Sequence, residues 1–319
     1  MQEKPRSIAW LFAVIPVVVI IIIGSVIFSG RAPSEFKAGT LVTIPAGTST
    51  KEAANILASA HIIRSASLFQ AMVTSVMNRK GIIAGDFQFD KRLNVFYVAK
   101  MLTTGNFGGT QAKITIPEGS SHIEIARIIS KAIPGWNGDE FVAKAKASEG
   151  YLFPDTYIVF KSIKVDSLIE LLKNEYDKKV EPLRSDIAVS GKTESQIIIM
   201  ASLLEKEAKN ADEAKIISGI LWTRIRAGLP LQVDAPFLYI LGKTSDQLKL
   251  SDLQKDGPYN TYTRKGLPAG PIGNPGVAMI KAALYPQGSP YLYYLHDKNG
   301  TIHYAKTYQE HLANKKKFL

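Results

Sequence analysis

The sequence contains no cysteine and only five histidines in 319 residues. Without cysteine there is no structural disulfide and no thiolate metal site. The histidines lack zinc-type spacing, and His303, within a predicted strand, reads as structural, so neither a metal nor another cofactor is expected. Nucleotide binding is also unsupported. Gly191-Lys192-Thr193 and Gly242-Lys243-Thr244 each resemble the end of a phosphate loop, but Asp186 and Phe237 stand where its earlier glycine is needed. No Gly-x-Ser-x-Gly elbow occurs, which leaves carboxylates as the candidate chemical groups. Charge is missing altogether from one stretch, Ile8 to Phe28.

That stretch is long enough to cross a bilayer as a helix. It exceeds the apolar core of a signal peptide, and no small-x-small cleavage site follows Phe28, so a retained single-pass transmembrane helix over residues 8–29 is expected. The stub 1–7 is placed in the cytoplasm and the bulk of the chain outside, with the cytoplasmic (inner) membrane as one partner. Hydrophobic residues make up 46% of the chain, enough for cores in about two domains. Formal net charge is +11; Lys4 and Arg6 against Glu3 give residues 1–30 only +1 of it, leaving +10 on the rest. A basic surface favours polyanions such as nucleic acid, anionic lipid or a carboxylate-rich wall polymer, and the outward topology argues against nucleic acid.

After a polar linker, residues 30–40, one pattern occurs twice. Val42-Thr43-Ile44-Pro45-Ala46-Gly47-Thr48-Ser49 reads as a strand and turn leading into an amphipathic helix, and Ile114-Thr115-Ile116-Pro117-Glu118-Gly119-Ser120-Ser121 repeats it. Between them lie a helix over 67–77, a strand over 85–89 and a helix over 95–102. A strand, two helices and a strand within residues 41–112 fit either a LysM-like βααβ carbohydrate-binding module or a plain α+β spacer. The whole chain reads as α+β.

Farther on, Ile197-Ile198-Ile199-Met200-Ala201-Ser202-Leu203-Leu204-Glu205-Lys206-Glu207 is an apolar run closed by two acids. Thr193 with Gln196 forms a capping box, so a helix starts there, and its all-round apolar character predicts burial. An acid in an apolar wall keeps its proton toward neutral pH, as a general acid requires. Glu205 and Glu207 are both candidates, and periodicity does not choose between them. A solvated Glu205–Lys209 pair is the plainer reading. The aromatic segment Glu149 to Tyr157 suits a sugar, whose C–H faces pack on rings while its hydroxyls bond to carboxylates; a loop pinned to the core is the other reading. Three Pro- and Gly-rich stretches within 257–276 suit the rim of a cleft, and residues 291–295 and 301–304 read as a hairpin.

Glu149 to Tyr157, Ala201 to Glu207, Gln232-Val233-Asp234, Tyr259-Asn260-Thr261-Tyr262 and Gly266-Leu267-Pro268 resemble, in order, the motifs of the YceG-like family of endolytic murein transglycosylases. The resemblance runs from about Leu41 to the C-terminus and makes residues 113–319 the catalytic domain. Small departures are Ala269, where a second proline is usual, and Val233 and Ala235 around Asp234. The resemblance implies Glu205 as the catalytic acid, and then base, in cleaving the β-1,4 bond from N-acetylmuramic acid to N-acetylglucosamine within peptidoglycan strands. It further implies substrate contacts from Glu149, Ser202, Glu207, Gln232, Asp234, Tyr259, Asn260, Thr261 and Tyr262. Peptidoglycan strands are the expected partner, with cell-wall synthases as further partners. A hydrolysing muramidase and a non-catalytic wall-binding scaffold are the competing functions.

Overall fold

The computed structural model describes residues 9–77 and 81–319. It divides into two compact units, residues up to 111 with 160–162, and residues 112–159 with 163–319. In the first unit, α1 (Ala9–Gly30) precedes β1 (Thr40–Ile44), α2 (Thr50–Ser59), α3 (Ala66–Ala71), β2 (Gly85–Phe89) and α4 (Val95–Thr104). Part of the segment expected to cross a membrane, Ile8 and the side chains of residues 9–13 and 22, lies outside the described residues. Among the described residues no helix is long and apolar enough to cross a membrane. Strands β1 and β2 are antiparallel, with Val42 opposite Phe87. Alternation along β1 turns Val42 and Ile44 inward, where they join Leu57, Phe69, Phe87, Phe89 and Leu102 in one core.

The second unit begins with β3 (Gln111–Thr115), α5 (His122–Ala132), α6 (Gly138–Ala145) and β4 (Thr156–Phe160), only the strand ends Gln111 and Phe160 being assigned to the first. Its strands pair with each other, so the second copy of the sequence pattern is also completed as strand, helix, helix, strand. The two copies share their local chemistry at an offset of 72 residues. Gly47 and Gly119 both adopt positive φ, +80° and +73°, a turn conformation that costs glycine little. Ser49 with Glu52, and Ser121 with Glu124, then form matching capping boxes, the N-cap in each contributing about 1 kcal/mol. Val42, Ile44, Ala53, Ala54 and Leu57 are buried, as are their counterparts Ile114, Ile116, Ile125, Ala126 and Ile129.

The rest of this unit is mainly helical: α7 (Val165–Val180), α8 (Arg184–Val189), α9 (Glu194–Glu207), α10 (Ala211–Arg226), α11 (Ala235–Leu241), α12 (Leu250–Gln254) and α13 (Val277–Leu284). The hairpin of β5 (Tyr293–His296) and β6 (Ile302–Ala305) and then α14 (Tyr308–Phe318) complete it. Helix α9 has the expected Thr193–Gln196 capping box, and every residue from Ile197 to Leu204 is buried. It packs against α10, α11 and α13. Each large apolar side chain buried there is worth about 2 kcal/mol. Lys315, Lys316 and Lys317 are exposed on the last turn of α14, which is capped by Thr307.

Candidate active site

Helix α9 is central to its core until Leu204 and then ends, with Ala208 extended at its C-cap. That abrupt end sets two acids at the edge of an apolar body. Glu205 and Glu207 lie two residues apart, so they leave the helix in different directions. Lys209 lies beyond the helix, and its ammonium bonds the Gly300 carbonyl. The Glu205–Lys209 pair that helical spacing suggests therefore loses its geometric basis.

Glu205 is half-buried, and its Oε2 accepts the Gly276 N–H at 3.0 Å. Burial holds its carboxyl above the usual carboxylate range; the Gly276 bond and Lys206 oppose this, and the charge of Glu118 adds to it. Gly276 is the N-cap of α13, and its amide lies at the head of that helix. Two glycines make this approach possible. A Cβ at Gly119 would come within 2.8 Å of Glu205 Cγ, and one at Gly276 would collide with the Glu118 carboxylate.

The loop before α13 is fixed by a second buried acid. Glu149, 6% exposed, accepts from the His122 amide at 3.1 and 3.2 Å, from Asn274 Nδ2 at 2.8 Å and from Tyr239 Oη at 3.2 Å, and also bonds His122 Nδ1. Asn274, fully buried, ties that acid to two loops: Gly119 N–H donates to its carbonyl, its own N–H and Nδ2 donate to Ser120 O, and its Oδ1 accepts from Leu152 N–H. Ser202 contributes from α9, its hydroxyl accepting the Ile272 N–H at 3.1 Å. Glu149 and Ser202 are therefore supports of the loop that carries Gly276.

Glu207 heads a different cluster. Its Oε2 accepts Tyr294 Oη at 2.8 Å, and Asp234 Oδ1 accepts Tyr262 Oη at 2.6 Å. Burial raises the Glu207 carboxyl, with the Tyr294 bond opposing and Asp234 adding to it. Arg224 donates to Gln232 Oε1 at 2.6 Å and to the carbonyls of Pro230 and Leu292. Gln232 itself adopts a positive φ of 53°, a strained conformation for a residue with a Cβ. Tyr259 stacks at a tilt on Tyr239, centroids 5.5 Å apart, which places it near Glu149 rather than in the Glu207 cluster.

Two expected substrate contacts have other work in this structure. Asn260 is 3% exposed: its amide donates to Leu253 O and Lys255 O, while its oxygen accepts from Tyr262 N–H and Thr263 N–H. That uses the whole bonding capacity of the side chain on its own loop and the end of α12. Thr261, 2% exposed, donates to Val233 O and accepts Val233 N–H. Thr261 holds the loop against Gln232 and Val233, and Asn260 closes the loop on itself and on the end of α12. Sequence reasoning passed over Glu118, His122, Asn274 and Gly276. Only Glu118 carried a readable signal, since it stands where the first copy of the repeat has Ala46. Among the described residues no three potential metal ligands converge.

The structure thus sets one half-buried carboxyl, Glu205, against the amide at the head of α13, on a loop braced by the buried Glu149. The chain belongs to the YceG-like family, whose model matches residues 42–317. It is 30% identical to a protein of Bacillus subtilis named endolytic murein transglycosylase, over 94% of this chain and 91% of that one. A protein of the same name from Streptococcus pneumoniae is 27% identical over 86% of this chain, which spans 57% of that longer protein. The crystal structure of a yceG-like protein from Listeria monocytogenes is similar at a TM-score of 0.58 and 31% identity, over 87% of this chain and 99% of that one.

Proposed function

We propose that this chain is a lytic transglycosylase that cuts within peptidoglycan glycan strands. Protonated Glu205 donates to the glycosidic oxygen between N-acetylmuramic acid and N-acetylglucosamine as positive charge develops at the muramyl anomeric carbon. The resulting carboxylate takes the proton of the muramyl C6 hydroxyl, which attacks that carbon and closes a 1,6-anhydro ring. One carboxyl serves as acid and then base, so the second carboxylate of ordinary glycosidases is not obligatory. The observation that carries this reading is the Glu205 carboxyl, half-buried and raised above the usual range at the end of α9. Glu207, Asp234 and Tyr262 form a polar wall suited to a sugar's hydroxyls, and Tyr259 an apolar face for its ring.

The cell-wall setting is part of the same proposal. The uncharged segment Ile8 to Phe28 and the exposed Ile20, Ile21, Ile23 and Phe28 of α1 support a membrane anchor, with the catalytic part on the outer side. The strand–helix–helix–strand order of residues 40–89 supports a LysM-like glycan-binding module. An enzyme so tethered would act on strands as they emerge and end their elongation, beside the synthases that make them. The test is digestion of purified sacculi followed by mass spectrometry. Anhydro-muramyl ends are expected from the wild type and none from Glu205→Gln, with sacculus binding unchanged. Reducing ends would replace the proposal with hydrolysis, and cleavage by the variant would remove Glu205 from the mechanism.

A further inference from the structure

The duplicated turn contains its own control. Pro45-Ala46-Gly47 and Pro117-Glu118-Gly119 lie at equivalent positions, with the same positive-φ glycine and the same serine capping box after them. The first copy builds this turn with alanine, so the turn does not need the acid that the second copy carries. What the acid adds is position. Its carboxylate lies where a side chain at residue 276 would be, and the amide of that same Gly276 donates to Glu205 Oε2 at 3.0 Å. Gly119, the next residue, passes so close to Glu205 that a Cβ there would be 2.8 Å from its Cγ. Two carboxylates from distant parts of the chain therefore converge on one glycine.

We propose that Glu118 is a positioning residue of the reacting centre, placed by the duplicated turn so that its negative charge keeps the proton on Glu205 until the glycosidic oxygen takes it. This rests on the assignment of Glu205 as the acid. The charged and polar groups acting on Glu205 are few: Glu118 from the β3–α5 turn, Lys206 from its own helix and the Gly276 amide at the head of α13. Lys206 and the amide favour the ionised form, so among the described residues Glu118 is the neighbouring charge that opposes them. After proton transfer the same charge makes Glu205 a better base toward the C6 hydroxyl. An acid paired this way holds its proton before the bond breaks and recovers one afterwards.

The experiment compares the full chain with Glu118→Gln and Glu118→Ala, the second restoring what the first copy of the turn already carries. The Glu205 carboxyl is titrated by carbon-13 NMR, with Glu205→Gln used to assign the signal. Its midpoint is expected to fall by about half a pH unit or more in both variants, the size of a like-charge effect between neighbouring groups in partly exposed protein. The alkaline limb of the cleavage profile on sacculi is expected to move down by the same amount, with sacculus binding unaltered. An unchanged midpoint overturns the proposal whether or not the chain cleaves glycan. A shifted midpoint in a chain that shows no cleavage supports the pairing and removes the transglycosylase reading instead.

Discussion

Glu205 has an environment that works against its own charge, and that has a consequence for stability as well as chemistry. A carboxyl raised on folding binds more protons in the native state than in the unfolded one between its ordinary and its raised pKa. Its contribution to stability is therefore full below the ordinary carboxylate range and is lost as pH rises through the raised value. Glu205→Gln should abolish cleavage while leaving the urea midpoint at pH 7 unchanged or slightly higher, because an amide oxygen can still accept the Gly276 N–H. A large loss of stability would mark Glu205 as structural. Glu149 should behave oppositely. Its removal leaves the His122 ring, the Asn274 amide and the Tyr239 hydroxyl without their shared acceptor, so Glu149→Ala should cost about 3 kcal/mol or more in urea unfolding. The sequence marks both acids as unusual, but it does not reveal that one reacts and the other braces. That difference lies in partners 27 to 125 residues away.

Local signals translated well into local structure. The capping box at Thr193 starts its helix as expected, because the groups it satisfies lie within three residues, and Ser49, Ser121 and Thr307 cap theirs in the same way. Glycine and strand alternation fixed the paired turns for the same reason. Helix α11 was not legible, since it has no side-chain cap and only seven residues, and neither was the closing of the second repeat by β4. Close packing between elements was equally invisible. Gly219 in α10 shows this: a Cβ there would run into the backbone carbonyl of Gln287, in the loop after α13. A backbone atom cannot rotate away as a side chain can, so Gly219→Ala should destabilise by about 2 kcal/mol despite the better helix propensity of alanine. A stability gain in urea unfolding would mean that the loop carrying Gln287 yields at little cost.

The charge of the whole chain and its apolar N-terminus pull toward different surfaces. Residues 1–30 contribute only +1 of the +11, so the remainder carries +10 without them. An anchored enzyme needs little affinity for its polymer, because tethering already supplies a high effective concentration at the membrane surface. Under the proposed anchoring, a chain freed of its tether would depend on its basic surface to stay on an anionic wall, and exposed charges more than a Debye length apart, about 8 Å at physiological salt, are largely screened. Deleting residues 1–30 should therefore release the protein from sedimented membranes and leave glycan cleavage intact at low salt. Sacculus binding by the truncated chain should fall as sodium chloride rises from about 50 mM to about 500 mM, where the screening length shrinks to a few ångströms. If the full-length protein were already soluble after membrane sedimentation, the anchor would be ruled out. If binding by the truncated chain ignored salt, uncharged sugar contacts rather than the basic surface would hold it on the wall.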